Sequence, residues 1–227
     1  MKNLTPLCLL MFTALSTEAQ ELGLQFGKSI SNFQFTDSQG RELQNLQKAD
    51  NFFLSGEYRQ NMLKEPLNYR MFLNIGLAFN RYGSSGSDVL LDNYYSWDVT
   101  YLGVNLGVDY VFFRNNNIQI YAKTTVSPEF LLHGTQDLND HKFNLVGADD
   151  FDAPFLFARL GLGAQFQITD ESAVFIQYMG GKGYALNGNP EKLNIICHNI
   201  GFGLLFRLIK DPFHIEYRGN QRVPRHR

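Results

Sequence analysis

What the chain has little of narrows its class before any motif is read. Its 227 residues include two cysteines, Cys8 and Cys197. Cys8 lies in an N-terminal segment expected to be removed on export, so the mature chain would keep one thiol and no internal disulfide. Its stability must then come from elsewhere. No run approaches the ~20 consecutive apolar residues of a membrane-spanning helix. The formal net charge is only -2, so the electrostatic footprint of a nucleic-acid binder is missing and no such partner is expected. The region after residue 19 shows no helical period, which argues against bundles and α/β folds. There is one tryptophan, against twenty phenylalanines and twenty glycines.

The first residues carry an address. Lys2 supplies a positive start, residues 4–15 are mostly apolar, and Thr17 and Ala19 are small residues at −3 and −1 of a cut before Gln20. Residues 1–19 are therefore read as a cleaved secretory signal peptide. Thr5-Pro6-Leu7 ahead of Cys8 makes a poor lipobox, and Cys8 lies inside the apolar stretch, so a lipoprotein anchor is rejected.

Beyond it, alternation with period two dominates. In YLGVNLGVDYVF, residues 101–112, every even position is apolar from Leu102 to Phe112, while Gly103, Asn105, Gly107 and Asp109 share the other face. This is the signature of a strand with unlike faces. Seven further stretches repeat it, at about 21–35, 51–60, 69–82, 118–132, 155–168, 172–180 and 197–209. The connections alternate in length. Those at about 61–68, 114–117 and 169–171 are short, whereas those at about 36–50, 83–96, 133–154 and 181–196 are long and rich in Gly, Ser, Asn and Asp. Short turns at one end and long loops at the other, on an even number of strands, fit an up-and-down membrane barrel.

Composition decides which face is inside. A soluble lipocalin-like barrel would show Lys and Glu to water on its polar face. Here that face is mostly Gly, Asn, Gln and Ser, which suits the cramped interior of an eight-stranded barrel. The opposite face is Leu, Ile, Val, Phe and Tyr on every strand, as hydrocarbon requires. Closure pairs every edge strand, which lipid makes obligatory. The expected fold is all-β, an eight-stranded antiparallel up-and-down transmembrane β-barrel over residues 20–209.

The strands LQFGKSISNF and YLGVNLGVDY and the last strand carry a resemblance: the chain resembles the porin-like outer-membrane β-barrel domain proteins of Gram-negative bacteria, of the eight-stranded type. The resemblance covers residues 20–209. It implies an outer-membrane location and an assembly signal on the final strand, of the pattern polar, any, Gly, any, any, apolar, any, aromatic or apolar. NIGFGLLF fits, with Asn199, Gly201, Leu204 and Phe206 at the marked places. The implied partners are outer-membrane lipid and the barrel assembly machinery. Family members often end at that strand; here residues 210–227 follow, a basic tail expected in the periplasm.

Inward phase collects a polar set: Glu57, Arg59, Arg70, Asn74, Asn105, Asp109, Lys123, Arg159, Gln165 and Arg207. Charges in a narrow lumen must pair, so these residues are expected to plug the barrel; the alternative is a thin path for ions or small solutes. Asp109 needs a cation from among Arg59, Arg70, Lys123, Arg159 and Arg207. Catalysis is not expected. His198 takes the outward phase near the loop end with no serine beside it in sequence, which argues against a lipid-modifying hydrolase. His133 and His141 flank Asp137 and Asp140 without a metal spacing, and Asp149, Asp150 and Asp152 lack the glycine-punctuated spacing of a calcium loop and read as a solvated acidic loop. No metal or cofactor is expected. The functional expectation is a monomeric structural or interaction barrel whose long external loops meet an extracellular ligand.

Overall fold

Period-two sequence becomes long strands. The computed structural model describes residues 20–36, 39–40, 46–62, 70–88, 93–115, 117–147, 149–186 and 192–208. Residues 1–19, read as a signal peptide, and the basic tail lie outside them. In chain order the strands are β1 (Gln20–Thr36), β2 (Gln47–Asn61), β3 (Met71–Asp88), β4 (Asn93–Arg114), β5 (Ile118–Leu138), β6 (His141–Asn144), β7 (Phe155–Gln167), β8 (Ser172–Ala185) and β9 (Lys192–Arg207). A single helical turn, Asp149–Asp152, precedes β7.

Eight of these strands form a closed ring. Each long strand pairs antiparallel with its sequence neighbour, and β1 pairs with β9 from Glu21 opposite Arg207 to Thr36 opposite Lys192. β6 is a short addition, hydrogen-bonded only to the upper part of β5. With both edges consumed, every strand of the ring finds its backbone partners inside the chain, the condition for crossing hydrocarbon. No helix among the described residues is long and apolar enough to cross a membrane.

The faces divide as the alternation demands. Leu24, Phe26, Leu54, Ile75, Leu77, Leu106, Leu160, Leu162, Phe202 and Leu204 all point outward and are about half exposed. Such a belt would be untenable in water and is what a bilayer selects. Outward charge collects toward the end opposite the tight turns: Lys28 pairs with Asp50 at 2.7 Å, and Arg81 pairs with Asp98. His198 sits in the same zone, its Nδ1 2.8 Å from the Tyr178 hydroxyl.

The connections differ from expectation. Residues 83–96 and 181–196, read as long loops, are mostly strand. β3 and β4 stay paired to Asp88 opposite Asn93, and β8 runs to Ala185 before β9 begins at Lys192. A spanning strand needs only ~9–11 residues, whereas β4 has 22 and β5 has 21. The surplus continues as paired ribbons beyond the apolar belt, because Gly, Ser and Asn with scattered aromatics can hold a ladder that faces water on both sides. Residues 133–154 fold as the top of β5, the β5–β6 hairpin and the helical turn. Two bulges shift the β4–β5 register, at Thr100/Tyr101 and Val111/Phe113. The second leaves Phe112 and Phe113 both outward, as a bulge does by adding a residue to one strand.

Inside, small residues make room for large ones. Tyr121 stands directly across from Gly163, and Phe175 across from Gly203. A Cβ at Gly163 would lie 2.2 Å from the Tyr121 ring, and one at Gly203 2.5 Å from Phe175. These glycines are where neighbouring rings lie down across the lumen.

Candidate functional site

Among the described residues the polar and charged side chains gather in the interior, and they are layered. Nearest the tight turns, Arg207 reaches Glu21 at 3.3 Å, and Arg59 holds the same carboxylate at 3.1 Å. Arg59 also lies 3.0 Å from Asp109, with its guanidinium 4.8 Å above Phe72 and 5.5 Å from Tyr121. Asp109 takes a hydrogen bond from Asn74 at 2.8 Å and lies 3.7 Å from Lys123, whose ammonium contacts Glu57 at 2.5 Å. Gln165 accepts a long hydrogen bond from Arg59, at 3.4 Å.

Above this cluster lies a second one. Glu129, with no exposed surface, contacts Arg159 at 2.5 Å and accepts from Asn80 and from the Tyr82 hydroxyl, each at 2.9 Å. Arg159 also donates to the Tyr82 oxygen at 2.6 Å and covers the Phe157 ring at 4.4 Å. Between the clusters is a cavity of about 40 Å³, bordered by Glu57, Asn105, Lys123 and Arg159 among others. Four carboxylates, Glu21, Glu57, Asp109 and Glu129, meet four cations, Arg59, Lys123, Arg159 and Arg207. The set balances to zero, the condition under which buried charge is tolerable.

The lumen is not polar throughout, as its sequence phase suggested. At the ribbon end Phe33, Tyr82, Val99, Tyr101, Phe155, Phe157 and Ile195 pack into one buried cluster with Leu145 and Phe151. Phe151 comes from the Asp149–Asp152 turn, and its carbonyl accepts from the Tyr101 hydroxyl at 3.0 Å. That segment, read as a solvated acidic loop, instead folds an aromatic ring into the barrel mouth. At the turn end, smaller apolar groups gather: Phe72, Val111 and Tyr121, and Ala173, Phe175 and Leu205. These inward aromatics share phase with the polar residues and mark where the strands pass beyond the middle of the barrel.

The polar residues singled out from sequence fall as follows. Arg59, Asn74, Asp109, Lys123, Arg159 and Gln165 are buried inside; Glu57, Asn105 and Arg207 are partly buried there. Arg70 does not join them. It is exposed in the turn just before β3: the strand starts at Met71, two residues later than its alternation suggested, and only the Arg70 carbonyl joins the sheet, accepting from the Val111 N–H at 2.7 Å. Asp109 takes Arg59 and Lys123, from β2 and β5, out of the five cations open to it. The polar set singled out from sequence omitted Glu21, Glu129 and Tyr82, and also Asn80, which shares the polar phase of Asn74. The odd-numbered phase of β5, carried on past Pro128, would have found Glu129; the even-numbered inward phase of β3 would have found Tyr82.

In the assembly pattern, Asn199 faces inward and accepts from Ser29 at 2.9 Å. Gly201 also faces inward, where a Cβ would meet the Phe26 carbonyl and the Phe53 ring at 2.7 Å. Leu204 and Phe206 face outward. His133 and His141 are exposed. Among the described residues no group of three His, Cys, Asp or Glu side chains is arranged to hold a metal ion.

A family model described as the outer membrane protein beta-barrel domain matches residues 5–207. Among solved structures, the chain is similar to Neisserial surface protein A, at 12% identity over 82% of this chain and 96% of that one, with a TM-score of 0.47. It is similar to the outer membrane protein OprG from Pseudomonas aeruginosa, at 14% identity over 84% and 98%, with a TM-score of 0.45. It is also similar to Ail, the attachment invasion locus protein of Yersinia pestis, at 13% identity over 83% and 99%, with a TM-score of 0.40. No curated protein matches it. With a family match over most of its length and a closed ring of eight strands belted by apolar side chains, the chain belongs to the outer-membrane β-barrel domain family and is an outer-membrane protein.

Proposed function

We propose that this barrel is plugged and non-conducting, and that its role is structural or interactive, exercised by the ribbons that stand beyond the bilayer. The observation that carries this reading is the interior packing: a charge-balanced network of four carboxylates and four cations beneath an aromatic cluster. A conducting path needs a continuous column of mobile water along its length. Here each of those charges already has a partner, and the space between the two clusters is about 40 Å³, little more than the ~30 Å³ of one water.

On this reading residues 1–19 are a signal peptide removed on export, both ends of the barrel domain are periplasmic, and the ribbons face outward from the cell. The protein is a monomer that meets membrane lipid along its belt. Asn199, Gly201, Leu204 and Phe206 present β9 to the assembly machinery, and the ribbons offer the surface for an extracellular ligand. It is not an enzyme: His198 points outward and bonds Tyr178, with no nucleophile between them.

The test is single-channel recording in planar bilayers. Folded, heat-modifiable protein is expected to give no steady conductance. Stable channels of defined size would replace this reading with that of a small pore.

A further inference from the structure

We propose that the outer mouth of the barrel holds a binding site for a small aromatic molecule of one or two rings. Above the aromatic cluster, a cavity of about 250 Å³ opens between Phe33, Phe35, Leu46, Trp97, Phe151 and Leu193, with Gln136 also on its wall. These residues come from β1, β4, β5, β9, the helical turn and the approach to β2, so the site is assembled by ring closure and not by any one hairpin.

Three features point to the ligand class. The cavity is ill suited to water. Its volume would admit several molecules at about 30 Å³ each, and an ordered water wants two to four polar partners. Among the described residues, the side-chain polar groups on the wall are the Gln136 amide and the Trp97 indole N–H. Its walls are rings already in contact: Phe33 lies 6.2 Å from Trp97 and 6.1 Å from Phe151, both tilted. A further ring extends such a cluster edge to face. Finally, its floor is closed, because Tyr82, Tyr101, Phe155 and Phe157 pack beneath it. A compact apolar body fits; a long chain has nowhere to go. Gln136 is placed to meet one polar substituent. For scale, a dry apolar cavity of about 150 Å³ is enough to take benzene. The site lies outside the charged lumen and does not depend on whether the lumen conducts.

Trp97 is the sole tryptophan of the chain and reports directly on occupancy. The full chain would be folded into phospholipid nanodiscs and titrated with 1-bromonaphthalene, whose heavy atom quenches an indole on contact. Saturable quenching is expected, weakened at least about tenfold by Leu46→Asp, since an aspartate at the rim must be desolvated by the incoming ring. Leu46 is half-buried and outside any strand. Should that variant fail to show heat-modifiable mobility, Phe35→Asp, also half-buried at the rim, takes its place. Quenching that rises linearly with probe in the bilayer would mean partition into lipid only and overturn the site. So would saturable quenching that is the same in the variant.

Discussion

Removing Glu129 gives the sharpest probe of how the lumen is held. Its carboxylate is fully buried, contacts Arg159 at 2.5 Å, and accepts from Asn80 and Tyr82 at 2.9 Å each. Glu129→Ala leaves the Arg159 guanidinium buried, which costs about 3–5 kcal/mol when one partner of such a pair is deleted. The two neutral donors add less than their usual ~1–3 kcal/mol each, since the adjoining cavity, bordered by both Asn80 and Arg159, can lend a water. Glu129→Gln should cost less than the alanine variant, because the amide keeps an acceptor for Asn80 or Tyr82. The discriminating variant is the double change Glu129→Ala with Arg159→Met, which takes out both charges and leaves a thioether on the Phe157 ring. Its loss should fall short of the sum of the Glu129→Ala and Arg159→Met losses by at least about 2–3 kcal/mol. Stability is read by urea unfolding in phospholipid vesicles, followed by Trp97 fluorescence and by the heat-dependent shift in gel mobility. A single-variant loss below about 1 kcal/mol, or simple additivity in the double variant, would refute the view that Glu129 and Arg159 act as a desolvated pair.

Other expectations are simpler. Gly163→Ala places a Cβ 2.2 Å from the Tyr121 ring, so folding yield should fall sharply and be partly restored by Tyr121→Ala; an unaffected single variant would show that the ring can move aside. Leu162→Arg on the apolar belt should cost up to ~2–4 kcal/mol near the bilayer midplane, measured as the fraction reaching the heat-modifiable form. His198→Ala breaks the outward hydrogen bond to Tyr178 and the stacking of the two rings; no release of fatty acid from outer-membrane lipid is expected before or after the change. Activity that disappears with His198 would identify a lipid-modifying enzyme.

Much was legible in the chain itself because the relevant rule is local. Alternation in YLGVNLGVDYVF says that Gly103, Asn105, Gly107 and Asp109 share a face whatever the strand pairs with. Eight such stretches, with apolar residues large enough for lipid and an opposite face small enough for a narrow lumen, carry the barrel and its number of strands. What strand phase cannot supply is distance along the barrel. Asp109 finds Lys123 because β4 and β5 pair them directly, and Arg59 because β3 holds β2 beside β4 on the concave inner face, Asn74 pairing with Arg59 on one side and Gly107 on the other. Both depend on register, which one bulge shifts by a residue. Arg70 had the right phase but lies in the turn before β3 with its side chain exposed, because a strand's first residue is set by its partner and not by its own alternation. The polar middle, the aromatic cluster at the mouth and the cavity above it follow from the same cause. Residues such as Phe33, Trp97 and Phe151 are far apart in sequence, and only the closed sheet brings them together. The sequence by itself determined which side of every strand meets lipid; the tertiary structure alone decided which inward residues meet one another, since that is a property of the closed ring.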